Sequence, residues 1–158
     1  MQFTCAREMF EATRDAALDL ERCERQLRTL ESREGLTGSI VKHGPSARPD
    51  PMTQTDVRID FESAIKKRMD DDTALIDATA KVLYGSEQNG DGGVASLAGS
   101  LAADCARWRY ILAAKWDEIA QALNVSQRTA RRQCDVAIET ADTFGYIFTV
   151  SGVGFAEM

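Results

Sequence analysis

Apolar residues recur along most of this chain at alternating spacings of three and four, a period that predicts helices rather than strands. Met9, Thr13, Ala16, Leu20, Cys23, Leu27 and Leu30 form a heptad seam on a helix expected from about Thr4 to Arg33. The last two heptads carry leucines and are the strongest. Thr13 and Ala16 weaken the seam, so this helix needs a partner within the chain or in a second copy. A second long helix is expected from about Gln54 to Leu83, opening at Thr53 or Thr55, with Val57, Phe61, Ile65, Met69, Ile76 and Leu83 turned toward the first. Between them, residues 34–53 hold Gly35, Gly38 and Gly44 with Pro45, Pro49 and Pro51, and read as a loop. An antiparallel helical hairpin over 1–84 is the simplest result.

GSEQNGDGG, residues 85–93, breaks the pattern and reads as a flexible Gly-rich linker. It lacks the lysine followed by serine or threonine of a phosphate loop. Beyond it, Leu97, Leu101, Cys105, Trp108 and Leu112 predict a helix that completes the core of a C-terminal unit spanning 94–142. The tail, 143–158, differs from the rest. Tyr146, Ile147, Phe148, Val150, Val153 and Phe155 with three glycines make it apolar and β-prone, with a short strand expected over Tyr146–Val150. Such a tail folds back on the core or pairs with a second subunit. The fold class read from these patterns is all-α.

The most informative stretch is KWDEIAQALNVSQRTARRQ, Lys115 to Gln133. Trp116, Ile119, Ala120 and Leu123 form the buried stripe of a short helix, with Asp117 and Glu118 in the first turn where the helix dipole favours acids. Asn124 stands where a helix closes with a residue of positive φ. Val125 plugs the space between two helices, and Ser126 is a good N-cap for a second helix beginning at about Gln127. On that helix Ala130, Cys134, Ala137, Ile138 and Ala141 gather on one side, Arg128 and Arg132 point to the other, and Arg131 lies on the flank. Three arginines with no acid among them offer guanidinium forks to phosphates or to guanine edges in the major groove, and Gln127, Thr129 and Gln133 add neutral hydrogen-bonding groups. Two helices joined by about three turn residues make a helix-turn-helix, in which Gln127, Arg128, Thr129, Arg131 and Arg132 are the candidate DNA contacts. The bland alternative is a solvated charged face.

RWRYILAAKWDEIAQALNVSQRTARRQCDVAIETA resembles the end of small phage-encoded transcriptional regulators of the RinA-like and ArpU-like group, which in turn resemble the fourth region of bacterial sigma factors. Arg109, Tyr110, Trp116, Glu118, Ile119, Ala120, Ser126 and Ala137 carry the resemblance. It implies two long N-terminal helices separated by a Gly-, Ser- and Pro-rich loop, a layout this chain shares. Lys115 departs from the usual capping Ser or Thr, Gln133 from an apolar residue, and the acidic balance from that of a DNA binder.

Charge localises the expectation. The chain has 19 basic and 25 acidic residues, a formal net charge of −6, so attraction to a polyanion is not a property of the whole molecule. Around the motif the sign reverses: Arg107, Arg109, Lys115, Arg128, Arg131 and Arg132 outnumber Asp117, Glu118 and Asp135. Asp70, Asp71 and Asp72 read as a solvated face, because consecutive helical residues diverge by about 100° and do not converge on one ion. Lys42 and Arg48 in the loop are either solvated or a basic arm.

Cys5, Cys23, Cys105 and Cys134 lack metal-ligand spacing and the single histidine, His43, is far from them, so neither a zinc site nor a disulfide framework is expected. Trp108 and Trp116 read as core anchors. The first residues lack the apolar run of a secretory signal and no stretch is long enough to span a membrane, so a cytoplasmic protein is expected. No nucleophile with a base, paired carboxylate or cofactor loop suggests an enzyme, and no cofactor is expected. The leading expectation is a sequence-specific DNA-binding transcriptional regulator of phage or prophage type, a homodimer acting on double-stranded DNA, with RNA polymerase as a further candidate partner. The alternatives are a module that binds RNA polymerase or another phage protein without DNA contact, and a small terminase subunit, which would form rings.

Overall fold

The computed structural model describes residues 3–36 and 51–144, with side chains for 3–32 and 55–144. The loop positions Lys42, His43 and Arg48, and the strand expected over Tyr146–Val150, lie outside the described residues. Every regular element is helical: α1 (Ala6–Leu36), α2 (Pro51–Tyr84), α3 (Gly93–Ala98), α4 (Ser100–Ala106), a π-helical turn (Arg107–Ile111), α5 (Trp116–Ala122) and α6 (Gln127–Phe144). The class is all-α, with no strand among the described residues.

α1 and α2 run antiparallel, since early residues of one meet late residues of the other. Thr13 meets Thr79, Arg68 pairs with Asp19, and Arg58 Nη2 donates to the Leu30 carbonyl at 3.4 Å. Thr13, the weak point of the heptad seam, is fully buried and its Oγ1 lies 2.6 Å from that of Thr79. Each hydroxyl also lies within reach of a carbonyl in its own helix, Met9 for Thr13 (2.8 Å) and Leu75 for Thr79 (3.0 Å). Two hydroxyl protons can fill only two of these three contacts at once.

One cluster of buried side chains runs through the whole described chain, from Met9 and Phe10 of α1 through Val82 and Leu83 of α2, Val94 of α3, Cys105 of α4, Tyr110 and Ile119 to Cys134, Ala137 and Ile138 of α6. Phe10 meets Tyr110 with ring centroids 5.3 Å apart. Ala102, Ala103 and Ala106 on α4, with Ala130, Ala137 and Ala141 on α6, are completely buried, and their small size allows the helices a close approach.

Four expectations are corrected here. The first concerns α1, whose best-buried end is the N-terminal one: Met9, Phe10 and Thr13 are inaccessible while Leu20, Leu27 and Leu30 are half-buried. The reason is coverage, because the start of α1 meets the π-helical turn and α6 as well as α2. On α2, Val57 and Phe61 are exposed rather than turned to α1, and burial follows Ile65, Leu75, Thr79 and Val82. A run spaced by fours drifts about 40° at each step and leaves the seam.

The single helix expected over Leu97–Leu112 is broken at Gly99, whose φ of +95° no helix accommodates. The break and the same drift put Leu97, Leu101 and Leu112 outside, while Val94, Ala102, Ala103 and Ala106 go inside. Finally, residues 85–93 form a closed turn rather than an extended spacer. Gly90 N–H donates to the Tyr84 carbonyl at 3.0 Å and Gln88 N–H to that of Gly85 at 2.9 Å. Gly93, at φ +65°, lies so close to the end of α2 that an added Cβ would sit 2.5 Å from the Val82 carbonyl oxygen. The turn sends α3 straight back onto α2, which positions everything that follows.

Candidate nucleic-acid interface

The α5–α6 pair is built by local rules at each joint. Lys115 is extended (φ −80°, ψ 160°) and its N–H donates to the Glu118 carboxylate at 2.7 Å. An ammonium has no lone pair, so the lysine gives nothing back and only half of a reciprocal cap exists, the cost of replacing Ser or Thr there. α5 closes at Leu123, followed by Asn124 at φ +52°. Val125 N–H reaches back to the Ala120 carbonyl at 3.0 Å and Asn124 N–H to that of Gln121 at 3.4 Å, the paired bonds of a Schellman end. Ser126 Oγ then accepts the Thr129 N–H at 3.1 Å and caps α6.

Within this unit Ile119 and Ala130 are fully buried, and Trp116, Leu123 and Val125 are half-buried against the core, as is Ala120 by accessibility. Gln127, Arg128, Arg131 and Arg132 are exposed on the first half of α6. Thr129 differs: it is half-buried and its hydroxyl lies 2.8 Å from Ser126 Oγ, so it serves the cap more than an outer face. Among the described residues none of the three arginines is ion-paired with an acid. Arg128 and Arg132 project free, and Arg131 lies with its guanidinium carbon 5.4 Å from the centre of the Trp116 ring.

Trp116 therefore does more than fill the core. Arg109, from the π-helical turn, lies 4.6 Å from the same ring, and its Nη1 donates to the Ala114 carbonyl at 3.0 Å. Burial, then the neighbouring positive charge of Arg14, lowers the pKa of Arg109 from its usual value. A cleft of about 380 Å³ opens beside it, lined by Arg7, Glu11, Arg14 and Asp15 of α1 with Arg109, Tyr110 and Trp116. Arg14 is the residue that reading along the sequence missed, and with it the meeting of Arg14 with Arg109, which the sequence counts only toward the local charge and the resemblance. The two arginines come from distant segments, and no spacing signals their meeting.

The back of α6 is pinned to α1. Asp142 Oδ1 accepts the Ala6 N–H at 2.7 Å and so caps α1 from another element, and Arg7 pairs with Asp135 at 3.2 Å. That hydrogen bond is the main cause that raises the pKa of Arg7. The orientation of α6 is thus set by the hairpin as well as by α5.

The cysteines are free thiols; burial pushes Cys134 up to about 12 and raises Cys105 and Cys23, which keeps all three protonated. Among the described residues no group of three or more His, Cys, Asp and Glu side chains could hold a metal ion, and no helix is long and apolar enough to cross a membrane. The aspartate run divides: Asp70 and Asp71 are exposed, but Asp72 is half-buried with Oδ2 out of water and without a hydrogen bond. Only the first two are a solvated face. No protein-family model, curated protein or solved structure matches the chain.

Proposed function

We propose that the chain is a sequence-specific DNA-binding transcriptional regulator of phage or prophage type, reading double-stranded DNA with the first half of α6. One observation carries this reading: among the described residues Gln127, Arg128, Arg131 and Arg132 stand exposed and without acidic partners on a helix whose other side is held by α5, α4 and α1. A helix presented this way can enter a major groove while its scaffold stays outside. Arg128 and Arg132, which have no partner among the described residues, are assigned to base edges or phosphates, and Arg131 to the groove wall beside Trp116. Thr129 is assigned to the cap. No enzymatic role is proposed.

The chain acts as a homodimer, with two α6 helices addressing half-sites about one DNA turn apart. Exposed Val57 and Phe61 on the far part of α2 support an association through the hairpin. A second reading keeps the same surface but gives it a protein partner, RNA polymerase or another phage protein, and the net charge of −6 favours it. A small terminase subunit would share the motif but assemble as a ring.

Selection from a random duplex pool at two salt concentrations separates these readings, with an Arg128→Ala, Arg131→Ala, Arg132→Ala triple variant run beside the wild type. Enrichment of a palindrome that the variant loses, with affinity falling as salt rises, supports the reader. Absence of duplex binding at low salt rejects it.

A further inference from the structure

The cleft between α1, the π-helical turn and α5 holds two arginines, Arg14 and Arg109, that no acid among the described residues pairs. Arg14 makes no hydrogen bond or ion pair there, and its Nε is shut off from water with no acceptor. Buried donors are almost always satisfied, and a buried charge left alone costs more than one in solvent. Arg109 is half-buried beside it and also has no acid partner, its one hydrogen bond going to the Ala114 carbonyl. Arg131 adds a third guanidinium on the same tryptophan ring. Among the described residues none of these three guanidiniums has an ion-pair partner.

Glu11 and Asp15 line the same cleft, but both are exposed and neither is bonded to Arg14 or Arg109 among the described residues. Water screens them, and an oxyanion in the cleft would meet Arg14 through its terminal nitrogens, since Nε itself is closed off. Arg7 contributes little because Asp135 already engages it. Tyr110 offers a phenolic O–H from the cleft wall.

We propose that this cleft is an oxyanion site that takes a phosphate group between Arg14 and Arg109, with Trp116 holding Arg109 in place. Guanidinium forks suit tetrahedral oxyanions, and two from different elements give a clamp rather than a surface contact. The phosphate comes from one of two sources, the backbone of a bound duplex or a free phosphate-bearing solute. The second source does not depend on the DNA reading at all.

The test uses the whole chain and an Arg14→Met variant, which keeps the apolar stem and removes the charge. In the first arm, thermal midpoints are followed against inorganic phosphate, with sodium chloride at matched ionic strength as reference. A free-phosphate site gives a rise in the wild type that grows with the logarithm of phosphate concentration once the dissociation constant is passed, about 5–10 °C at a hundredfold excess over that constant. The variant shows only the rise, linear in concentration, that phosphate gives any protein by surface exclusion, and without phosphate its midpoint lies above that of the wild type. In the second arm, duplex affinity is measured against salt. A backbone-phosphate site lowers the slope of log affinity on log salt by about one in the variant, evenly across sequences. A logarithmic phosphate response that the variant lacks supports the free solute, and a reduced slope supports the duplex backbone. An Arg14→Met protein with a lower midpoint than wild type, or a phosphate response equal in both proteins together with an unchanged slope, overturns the proposal. If no duplex binds at all, the phosphate arm alone decides, so the failure of the DNA reading stays distinguishable.

Discussion

Gly93 is the position where one methylene should do the most damage to this fold. Its φ of +65° is left-handed, and an alanine Cβ there would lie 2.5 Å from the Val82 carbonyl oxygen, 2.8 Å from the Gly85 nitrogen and 2.8 Å from the Leu83 carbonyl carbon. All three are backbone atoms and cannot rotate away. Gly90 supplies the control, because its φ is +86° yet nothing lies within 4 Å of the corresponding Cβ. For Gly90→Ala the left-handed conformation costs about 1–2 kcal/mol, offset by about 0.4–1 kcal/mol from the stiffer unfolded chain, a net loss of roughly 0–1.5 kcal/mol. Gly93→Ala bears the same cost and must also push α3 off α2. Overpacking of this kind costs about 1–3 kcal/mol, and disturbing the Gly85 N–H bond to the Lys81 carbonyl about 1 kcal/mol more, for a total of roughly 2–5 kcal/mol. Urea unfolding of both variants at constant m-value measures the difference. Equal losses within about 0.5 kcal/mol would refute the claim that this close approach, rather than the turn conformation, holds α3 on α2.

Three further outcomes are expected. In a double-mutant cycle on Thr13→Val and Thr79→Val, the two hydroxyls should couple by about 0.5–1.5 kcal/mol, because each loses its partner but retains a carbonyl in its own helix; additive losses would show that the 2.6 Å contact contributes nothing. Burial, then the charge of Asp19, raises the pKa of Asp72 above the ordinary aspartate value of 3.8, while Arg68 opposes the shift. The folded state therefore holds the proton more tightly than the unfolded state, and this group's stabilisation is present in acid and lost as pH rises through the folded pKa. Asp72→Asn should be more stable than wild type at pH 7, with the advantage shrinking as pH falls toward 3.8; a less stable variant at pH 7 contradicts it. Asp142→Ala removes the acceptor for the Ala6 N–H and should cost about 0.5–2 kcal/mol while speeding amide exchange in the first turn of α1. Unchanged exchange there would mean that α6 does not cap α1.

Much of this protein is written in local rules. The alternation of three and four determined the helical class, since a stripe that repeats this way can be buried only by a helix. Leu123-Asn124-Val125-Ser126 determined its own turn, because asparagine tolerates a φ of +52° and serine can cap the next helix whatever surrounds them. The outward placement of Arg128 and Arg132 follows from 100° steps away from Ala130 and Cys134. None of this needs a distant residue.

What lay beyond the sequence depends on which elements meet. Leu97 and Leu101 read as core, yet the break at Gly99 and the angle of α3 on α2 turn them outward, and small residues take their place against α6. Thr13 read as a flaw in a seam until Thr79 came opposite it. Arg14 belongs to an unremarkable polar stretch of α1, and only the tertiary structure sets it beside Arg109 and Trp116. Period and capping act over a few residues and are legible one helix at a time. The charge in the cleft, the cap of Asp142 on α1 and the tight joint at Gly93 arise between helices, from a packing arrangement that no single segment encodes.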